Sequence, residues 1–459
     1  MNQFDNISPL DYRYYDDSFK DYLSEESRIK YQVFVEATLV KVLAKNGICS
    51  EKIAEEVEKS SKQIKAEEVY GEEKITRHDI RALVNCIRKN VSDEAKPFIH
   101  LGATSYDIVD TANAIRYKDV IKKIVLPALE ELEKTFIELA LREKNTLQIG
   151  RTHGQHAEPI TFGFAIAEYV SRLGGRILEI KEKNDKLVGK FSGAVGAYNA
   201  SALLNKDPIE FEKQFCEELG LLPSISSNQV IEPEPLLDLM HSMVSTFGVL
   251  ANFSDDMRNL QRSELNEVAE SFGKKQVGSS TMPHKRNPIN FENVKSLWKE
   301  FMPRMITFYL DSLTDHQRDL TNSASARFIP EVIAGLVSST KRLNKITSNL
   351  VVDKESMQKN FDQNKKMIVA EPLYILLAFH NHPDAHEAVR ELTLESQKTG
   401  KALIELAENN TSLKPFIEKF SSEQIALLRE PEKYLGKAVR KTELICEKWK
   451  KDLESKISA

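Results

Sequence analysis

Apolar residues recur at steps of three and four along most of the chain. Ile121, Ile124, Val125, Leu129, Leu132, Phe136 and Leu139 share one stripe, while Lys122, Lys123, Glu130, Glu131, Glu133 and Lys134 take the other faces. That spacing predicts an amphipathic helix. Pro127 sits inside the run, but the pattern keeps its phase across it, so a kink is expected rather than an end. A second stripe, Leu236, Leu239, Met240, Met243, Phe247 and Leu250, starts after Pro233 and Pro235. A third run begins at Pro288, where Asn287-Pro288 is a helix-start signal. Further helical runs cover residues 162–190 and 324–350, and no comparable alternating strand pattern stands out. Long helices with wide apolar stripes need partner helices. The expected fold is therefore all-α, a long central helical bundle flanked by smaller N- and C-terminal helical domains. The pattern breaks near Phe98–Ser105 and at Val351-Val352-Asp353, which sets expected domains of 1–106, 107–351 and 352–459.

Composition narrows the class. The 459 residues are 41% hydrophobic and 29% charged, enough for a large core and unlike a disordered polyelectrolyte. Lys and Arg total 64 against 69 Asp and Glu, a net charge of −5. This balance argues against a general nucleic-acid or membrane-surface binder, which needs a positive field. It leaves room for a local anion pocket. Cys49, Cys86, Cys216 and Cys446 are widely spaced, so neither a disulfide scaffold nor a thiolate metal site is expected. The polar N-terminus lacks an apolar signal core, and Leu373–Phe379 is far short of the ~20 residues a membrane span needs. A cytoplasmic chain with no membrane partner is expected.

Five segments interrupt the helical pattern and carry chemistry. Gly278-Ser279-Ser280-Thr281-Met282-Pro283-His284-Lys285-Arg286-Asn287-Pro288 puts small residues, hydroxyls, cations and an amide just before a helix. Backbone N–H groups and positive charge there suit an anion, although a solvated basic loop has the same composition. Gly150-Arg151-Thr152-His153-Gly154-Gln155-His156-Ala157-Glu158-Pro159 places two histidines in a polar break between long helices. Either can give or take a proton near neutral pH, or simply be structural. In Thr76-Arg77-His78-Asp79 the acid can orient the imidazole while Arg77 binds an anion. His100-Leu101-Gly102-Ala103-Thr104-Ser105 offers two hydroxyls at a helix start, either of which can cap it. Gln317-Arg318-Asp319-Leu320-Thr321-Asn322-Ser323, with Arg327, can cradle a phosphate or serve as a salt-bridged helix end. His380, His382 and His386 are a decoy for a metal site: Pro383 disturbs their spacing and no carboxylate or thiolate cluster supports them.

Together these segments resemble the aspartase/fumarase superfamily over essentially the whole chain. Gly278–Pro288 is similar throughout to that superfamily's signature, GSSxMPxKxNP. Within it, the sequence resembles the adenylosuccinate lyase family. His284 fits that branch, where fumarases tend to have Gly, aspartases Ala and argininosuccinate lyases Gln. Cycloisomerase relatives share MPHK but lack a Thr-His like Thr152-His153. Ser8–Tyr14 and Arg77-His78-Asp79 fit the same branch; Gln317–Thr321 is similar to one bacterial subgroup and His156–Pro159 to the other.

The resemblance implies a lyase that releases fumarate from succinylated purine ribonucleotides by β-elimination, with no cofactor and no metal. It implies Ser279 as general base and His153 as general acid. It places Lys285 and Asn287 on the succinyl carboxylates, assisted by Thr104, Ser105 and Gln229, and His78 and His100 near the reacting centre. Glu292 would orient a histidine. Arg13, Tyr14, Arg318, Ser323 and Arg327 would hold the phosphate and ribose. Arg77, Asp79, Ser280, Arg286 and Asn293 complete the expected substrate contacts. A homotetramer with active sites shared between subunits is implied as well. The chemistry fits: an aci-carboxylate intermediate needs fixed donors and a cation, and the leaving amine needs a proton. The rival readings are argininosuccinate lyase or another fumarate-releasing relative, a cycloisomerase, and a non-catalytic structural protein on the same scaffold.

Overall fold

The computed structural model describes residues 5–273, 281–282 and 284–456. The helices that matter below are α1 (Glu25–Lys45), α2 (Ala66–Thr76), α3 (Asp79–Lys89), α4 (Ser105–Val120), α5 (Leu126–Arg142), α6 (Phe162–Asp185), α7 (Glu234–Leu260), α8 (Ile289–Phe301), α9 (Arg304–Asp311), α10 (Ile329–Thr347), α11 (Lys354–Ile368) and α12 (Ala438–Lys456). The fold is all-α, with long helices where the periodicity placed them. Strands come only as short pairs among the described residues: β1 (Leu147–Thr152) with β2 (Gln155–Thr161), β3 (Val188–Gly189) with β4 (Leu222–Pro223), and β5 (Val268–Ala269) with β6 (Val351–Val352).

Both expected stripes turn inward. Ile121, Val125, Leu129, Leu132, Phe136 and Leu139 are buried, as are Leu239, Met240, Met243, Phe247 and Leu250. Pro127 does not end the helical run, as its unbroken phase predicts. A π-turn over Ile121–Val125 joins α4 to α5, and the Leu126 N–H reaches back five residues to the Ile121 carbonyl. The wider turn absorbs the backbone donor that Pro127 lacks without ending the helix. One residue departs from the pattern. Glu133 belongs to a polar face by periodicity, yet it is fully buried and neither carboxylate oxygen has a partner among the described residues. Here the buried face of α5 is wide enough to include Leu132, Ile137 and Ala140. Burial raises the Glu133 pKa well above the usual carboxylate range.

The chain packs as two compact units. One comprises the residues up to Glu130, Gly175–Leu250 and Ser296–Lys341; the other comprises Glu131–Gly174, Ala251–Lys295 and the residues from Arg342 onward. In the first, Phe191 packs against Phe211 and Phe215 with ring centroids 5.1 and 5.3 Å apart. A buried Asp107–Lys190 ion pair lies nearby. In the second, Phe253 is central, 4.5 Å from Phe136, 5.2 Å from Tyr169 and 6.2 Å from Phe291. Gly174 admits the Trp449 indole of α12: a Cβ there would lie 2.3 Å from the ring.

Among the described residues one helix, α7, is long and apolar enough to cross a membrane by length and composition, but 61% of its most apolar window is buried by the protein itself. The His380 cluster is spent on packing. His380 lies over Phe420 at 5.3 Å, His382 against Phe416 at 4.7 Å and His386 against Tyr374 at 5.8 Å.

Candidate active site

The segment around His153 is a β-hairpin, which the helical reading of the chain did not anticipate. Thr152 pairs with Gln155, leaving His153 and Gly154 as a two-residue loop. Both have positive φ, 55° and 75°, the requirement of a type I′ turn. A two-residue loop ending in Gly between β-capable residues was the available signal. A bulge between Ile149 and Arg151 bends β1. Gly150 sits at this bend, where a Cβ would lie 2.7 Å from the Glu158 carbonyl. The result is an exposed His153 imidazole at the tip of a rigid ribbon.

A buried carboxylate fixes that ribbon. Glu267, with no exposed surface, accepts from Arg151 Nη2 at 2.5 Å, Gln148 Nε2 at 2.8 Å and Asn360 Nδ2 at 2.9 Å. Arg151 is thereby tied to the hairpin base rather than free for a ligand. His156, on β2, has its pKa lowered by burial and by neighbouring Arg151. The hairpin borders a cleft of about 1160 Å³ lined by Arg151, His156, Tyr169, Asp256 and Arg262.

Three residues beyond Glu267, a second buried carboxylate holds the start of α8. Glu270 Oε1 accepts the Asn290 and Phe291 backbone N–H groups, each at 2.9 Å, and Oε2 accepts Asn290 Nδ2 at 2.6 Å. The Ile289 and Glu292 N–H groups bond to the Asn287 and Pro288 carbonyls. The anion site expected at this helix N-terminus is thus filled from within: all four first-turn donors are taken by the protein's own oxygens. Burial raises the Glu270 pKa despite these donors. Lys285 is exposed, as is Arg286, whose guanidinium lies 5.4 Å over the Phe272 ring. Glu292 is exposed on α8 beside Asn293. Ser279 and Ser280 lie outside the described residues.

The other expected residues lie in the first unit. Arg77 ends α2 in the left-handed region, at φ 56°, and His78 caps α3 by accepting the Arg81 N–H on Nδ1 at 3.3 Å. Asp79 does not orient His78. Its Oδ1 accepts the Ile80 N–H at 2.8 Å and stands 3.6 Å from the imidazole nitrogen. Thr104, not Ser105, caps α4, and Asp107 accepts the Thr104 N–H at 2.8 Å. The same carboxylate accepts the Ser192 and Gly193 N–H groups at 3.2 and 3.3 Å, so it ties the 190–193 loop to the helix start.

His100 is held by a residue that the sequence reading did not single out. Its Nδ1 lies 2.7 Å from Oε1 of Glu36, which is completely buried in α1. A lone acid on the Val33–Val40–Leu43 stripe was the visible sign. Arg318 lies 5.5 Å over the Tyr106 ring, and the Gln229 N–H bonds to the Gln317 carbonyl at 3.2 Å. Arg318 also lines a cavity of about 310 Å³ with Asp110, Asn113, Asn228, Asp311 and Asn322. Its Nε and Nη2 are buried and unpartnered among the described residues. Burial pushes the Asp110 pKa up to about 6, against the Ile231 N–H. Arg13, Ser323 and Arg327 are exposed, and Tyr14 is half-buried. The first unit therefore brings Thr104, Ser105, Gln229 and Arg318 into one neighbourhood, while the hairpin histidine and the Lys285–Asn287 segment belong to the second. No group of three or more metal-ligating side chains forms among the described residues.

Two family models match the chain: a lyase model over residues 12–300 and an adenylosuccinate lyase C-terminal model over residues 314–434. An adenylosuccinate lyase of Pyrococcus abyssi is 37% identical, with 94% of this chain and 95% of that protein covered. One of Methanocaldococcus jannaschii is 34% identical, with 94% of each covered. Among solved structures, a 3-carboxy-cis,cis-muconate lactonizing enzyme of Pseudomonas putida superimposes with a TM-score of 0.84 at 22% identity, covering 98% of this chain and 99% of that one. That likeness is one of fold.

Proposed function

This chain belongs to the adenylosuccinate lyase family, and on that premise we propose how its residues carry out the reaction. The enzyme is a fumarate-releasing lyase of purine nucleotide biosynthesis. It cleaves adenylosuccinate to AMP and fumarate, and the succinyl-carboxamide ribotide to its carboxamide and fumarate. The observation that carries the reading is an exposed His153 at the tip of a hairpin locked by Arg151 and Glu267, in a chain that also holds the Gly278–Pro288 signature.

Ser279 takes the proton from the carbon next to a succinyl carboxylate. The electron pair left behind is held as an aci-carboxylate by Lys285 and the Asn287 side chain. Because the α8 N-terminus is filled by Glu270, these two side chains, rather than helix N–H groups, supply the charge stabilisation. The pair then forms the fumarate double bond as the C–N bond breaks, and His153 protonates the departing amine. Ser280 and Asn293 assist at the carboxylates, with Thr104, Ser105 and Gln229. His78 lies near the reacting centre with Arg77 and Asp79, and Glu292 orients a histidine. Arg13, Tyr14, Arg286, Arg318, Ser323 and Arg327 receive the nucleotide end.

A homotetramer with shared active sites accounts for a site whose residues are dispersed along the chain. Exposed apolar side chains on and beside α9, Met302, Ile306, Tyr309, Leu310 and Leu313, support self-association. The deciding experiment is fumarate release from adenylosuccinate by wild type and Ser279→Ala. Wild type should turn over, and the variant should lose several orders of magnitude while still binding substrate. Fumarate from argininosuccinate instead would favour the sister lyase.

A further inference from the structure

We propose that Glu36 is a positioning residue: it grips the His100 imidazole by its Nδ1–H and keeps that ring a cation facing the anionic substrate. The inference rests on the family reading above. Glu36 has no exposed surface and sits among Val33, Val40 and Leu43 on the buried side of α1. Its Oε1 lies 2.7 Å from His100 Nδ1, and a carboxylate only accepts, so the nitrogen donates. The other oxygen, Oε2, is buried and unpartnered among the described residues. A buried acceptor left unpaired costs about 1–3 kcal/mol. Asp107 is the contrasting buried acid. It takes Lys190, the Ser192 and Gly193 N–H groups and the Thr104 N–H, and is saturated. Among the described residues Glu36 has one hydrogen-bond partner, and that partner is a histidine.

His100 is itself placed under strain. Its φ of 64° is left-handed, a conformation that costs a non-glycine residue on the order of 1 kcal/mol or more. Its side chain is about one-fifth exposed, so one edge of the ring faces outward while Nδ1 faces inward to Glu36. Three charged groups act on it from three helices: Glu36 of α1, Asp107 of α4 and Arg81 of α3. Burial and Arg81 disfavour the cation; Glu36, with help from Asp107, outweighs them and raises the pKa. A fixed cation of this kind binds an anionic substrate and its transition state alike, so its loss is read in KM more than in kcat.

Glu36→Gln separates charge from grip, because the amide oxygen still accepts the Nδ1–H. Two measurements follow: the pH profile of kcat/KM for fumarate release, and the titration of 15N-labelled imidazoles, with His100 assigned by difference from His100→Gln. In Glu36→Gln, the His100 midpoint and the alkaline limb of kcat/KM should both move toward acid, with kcat held and KM raised. Glu36→Asp, which keeps the charge, should restore the limb toward the wild-type position. A His100 midpoint unchanged in Glu36→Gln would overturn the proposal, as would a limb that stays put while His100 shifts. Should the glutamine variant fail to fold, wild type still decides: a His100 midpoint at or below that of free histidine refutes the pairing. Failure of wild type to release fumarate would instead sink the proposed reaction, and the imidazole titration would still judge Glu36.

Discussion

Glu270→Ala removes the carboxylate that closes the N-terminus of α8. Two backbone donors, the Asn290 and Phe291 N–H groups, lose their 2.9 Å acceptor, and the Asn290 side chain loses a 2.6 Å bond. Bonds to a charged group contribute about 1.5–3 kcal/mol each, so the two backbone bonds alone hold at least about 3 kcal/mol. The side-chain bond to the same carboxylate adds about 1.5 kcal/mol more. Against this stands the cost of burying the carboxylate, which is large enough to raise its pKa and is recovered in the variant. The net loss should be about 3 kcal/mol at the helix start. Glu270→Gln keeps an oxygen for the two N–H groups. It turns an amide donor toward Asn290 Nδ2, whose own oxygen is held by Arg342 at 2.9 Å, and should cost about half as much.

Amide hydrogen exchange at Asn290 and Phe291 reads this opening locally, without assuming that the whole chain unfolds in one step. A loss of about 3 kcal/mol corresponds to exchange roughly a hundredfold faster, since 1.4 kcal/mol is a factor of ten. Because Lys285 and Asn287 directly precede this helix, kcat/KM for fumarate release should fall by about tenfold or more through misplacement. Exchange in Glu270→Ala within about twofold of wild type would refute the reasoning, as would a glutamine variant opening more readily than the alanine one.

His153→Gln should lower kcat by about 10²–10⁴ with KM little changed, as measured by fumarate release; near-normal kcat would remove it as the acid. Arg327→Ala should raise KM by about tenfold or more and leave kcat close to wild type, and unchanged AMP affinity by calorimetry would sink its phosphate role. Asp110 binds its proton more tightly folded, at about 6, than at its ordinary 3.8. Its contribution is therefore fully present below about pH 4 and lost as pH rises through about 6. Asp110→Asn keeps an acceptor for the Ile231 N–H. It should gain up to about 3 kcal/mol near pH 8, two units at 1.4 each, and nothing near pH 4. Denaturant midpoints at the two pH values check this, and an equal gain at both would be the contrary result.

The helices were legible because a stripe such as Ile121–Leu139 repeats one constraint many times, so a single Pro127 cannot hide it. The signature at Gly278–Pro288 was legible because its residue types are unusual together. The His153 hairpin was not, because its evidence is two residues long: a turn needing positive φ at His153 and Gly154, flanked by a strand that is bulged at Gly150. Glu36 and Glu133 escaped for a different reason. An acid on a helix reads as solvent-facing unless its neighbours on the same face are counted, and only packing shows which faces of α1 and α5 are covered. Asp79 was misread through proximity. It is adjacent to His78 in sequence, but its carboxylate is nearer its own helix start than the imidazole.

Four buried acids, two in each unit, show why irregular segments need residues of this kind. Glu36, Asp107, Glu267 and Glu270 each hold a segment that has little regular structure of its own: the His100 turn, the 190–193 loop, the His153 hairpin and the entry to α8. Such segments leave backbone donors, imidazoles and guanidinium groups that no helix ladder satisfies, and an apolar side chain cannot accept from them. One carboxylate can accept two or more such donors, which fixes direction as well as distance. The desolvation this requires is costly, and the raised Glu270 pKa records it. The net charge of −5 therefore says little about the field a substrate meets. These four acids are turned inward as anchors, while Arg13, Lys285 and Arg327 stand as exposed cations among the expected substrate contacts.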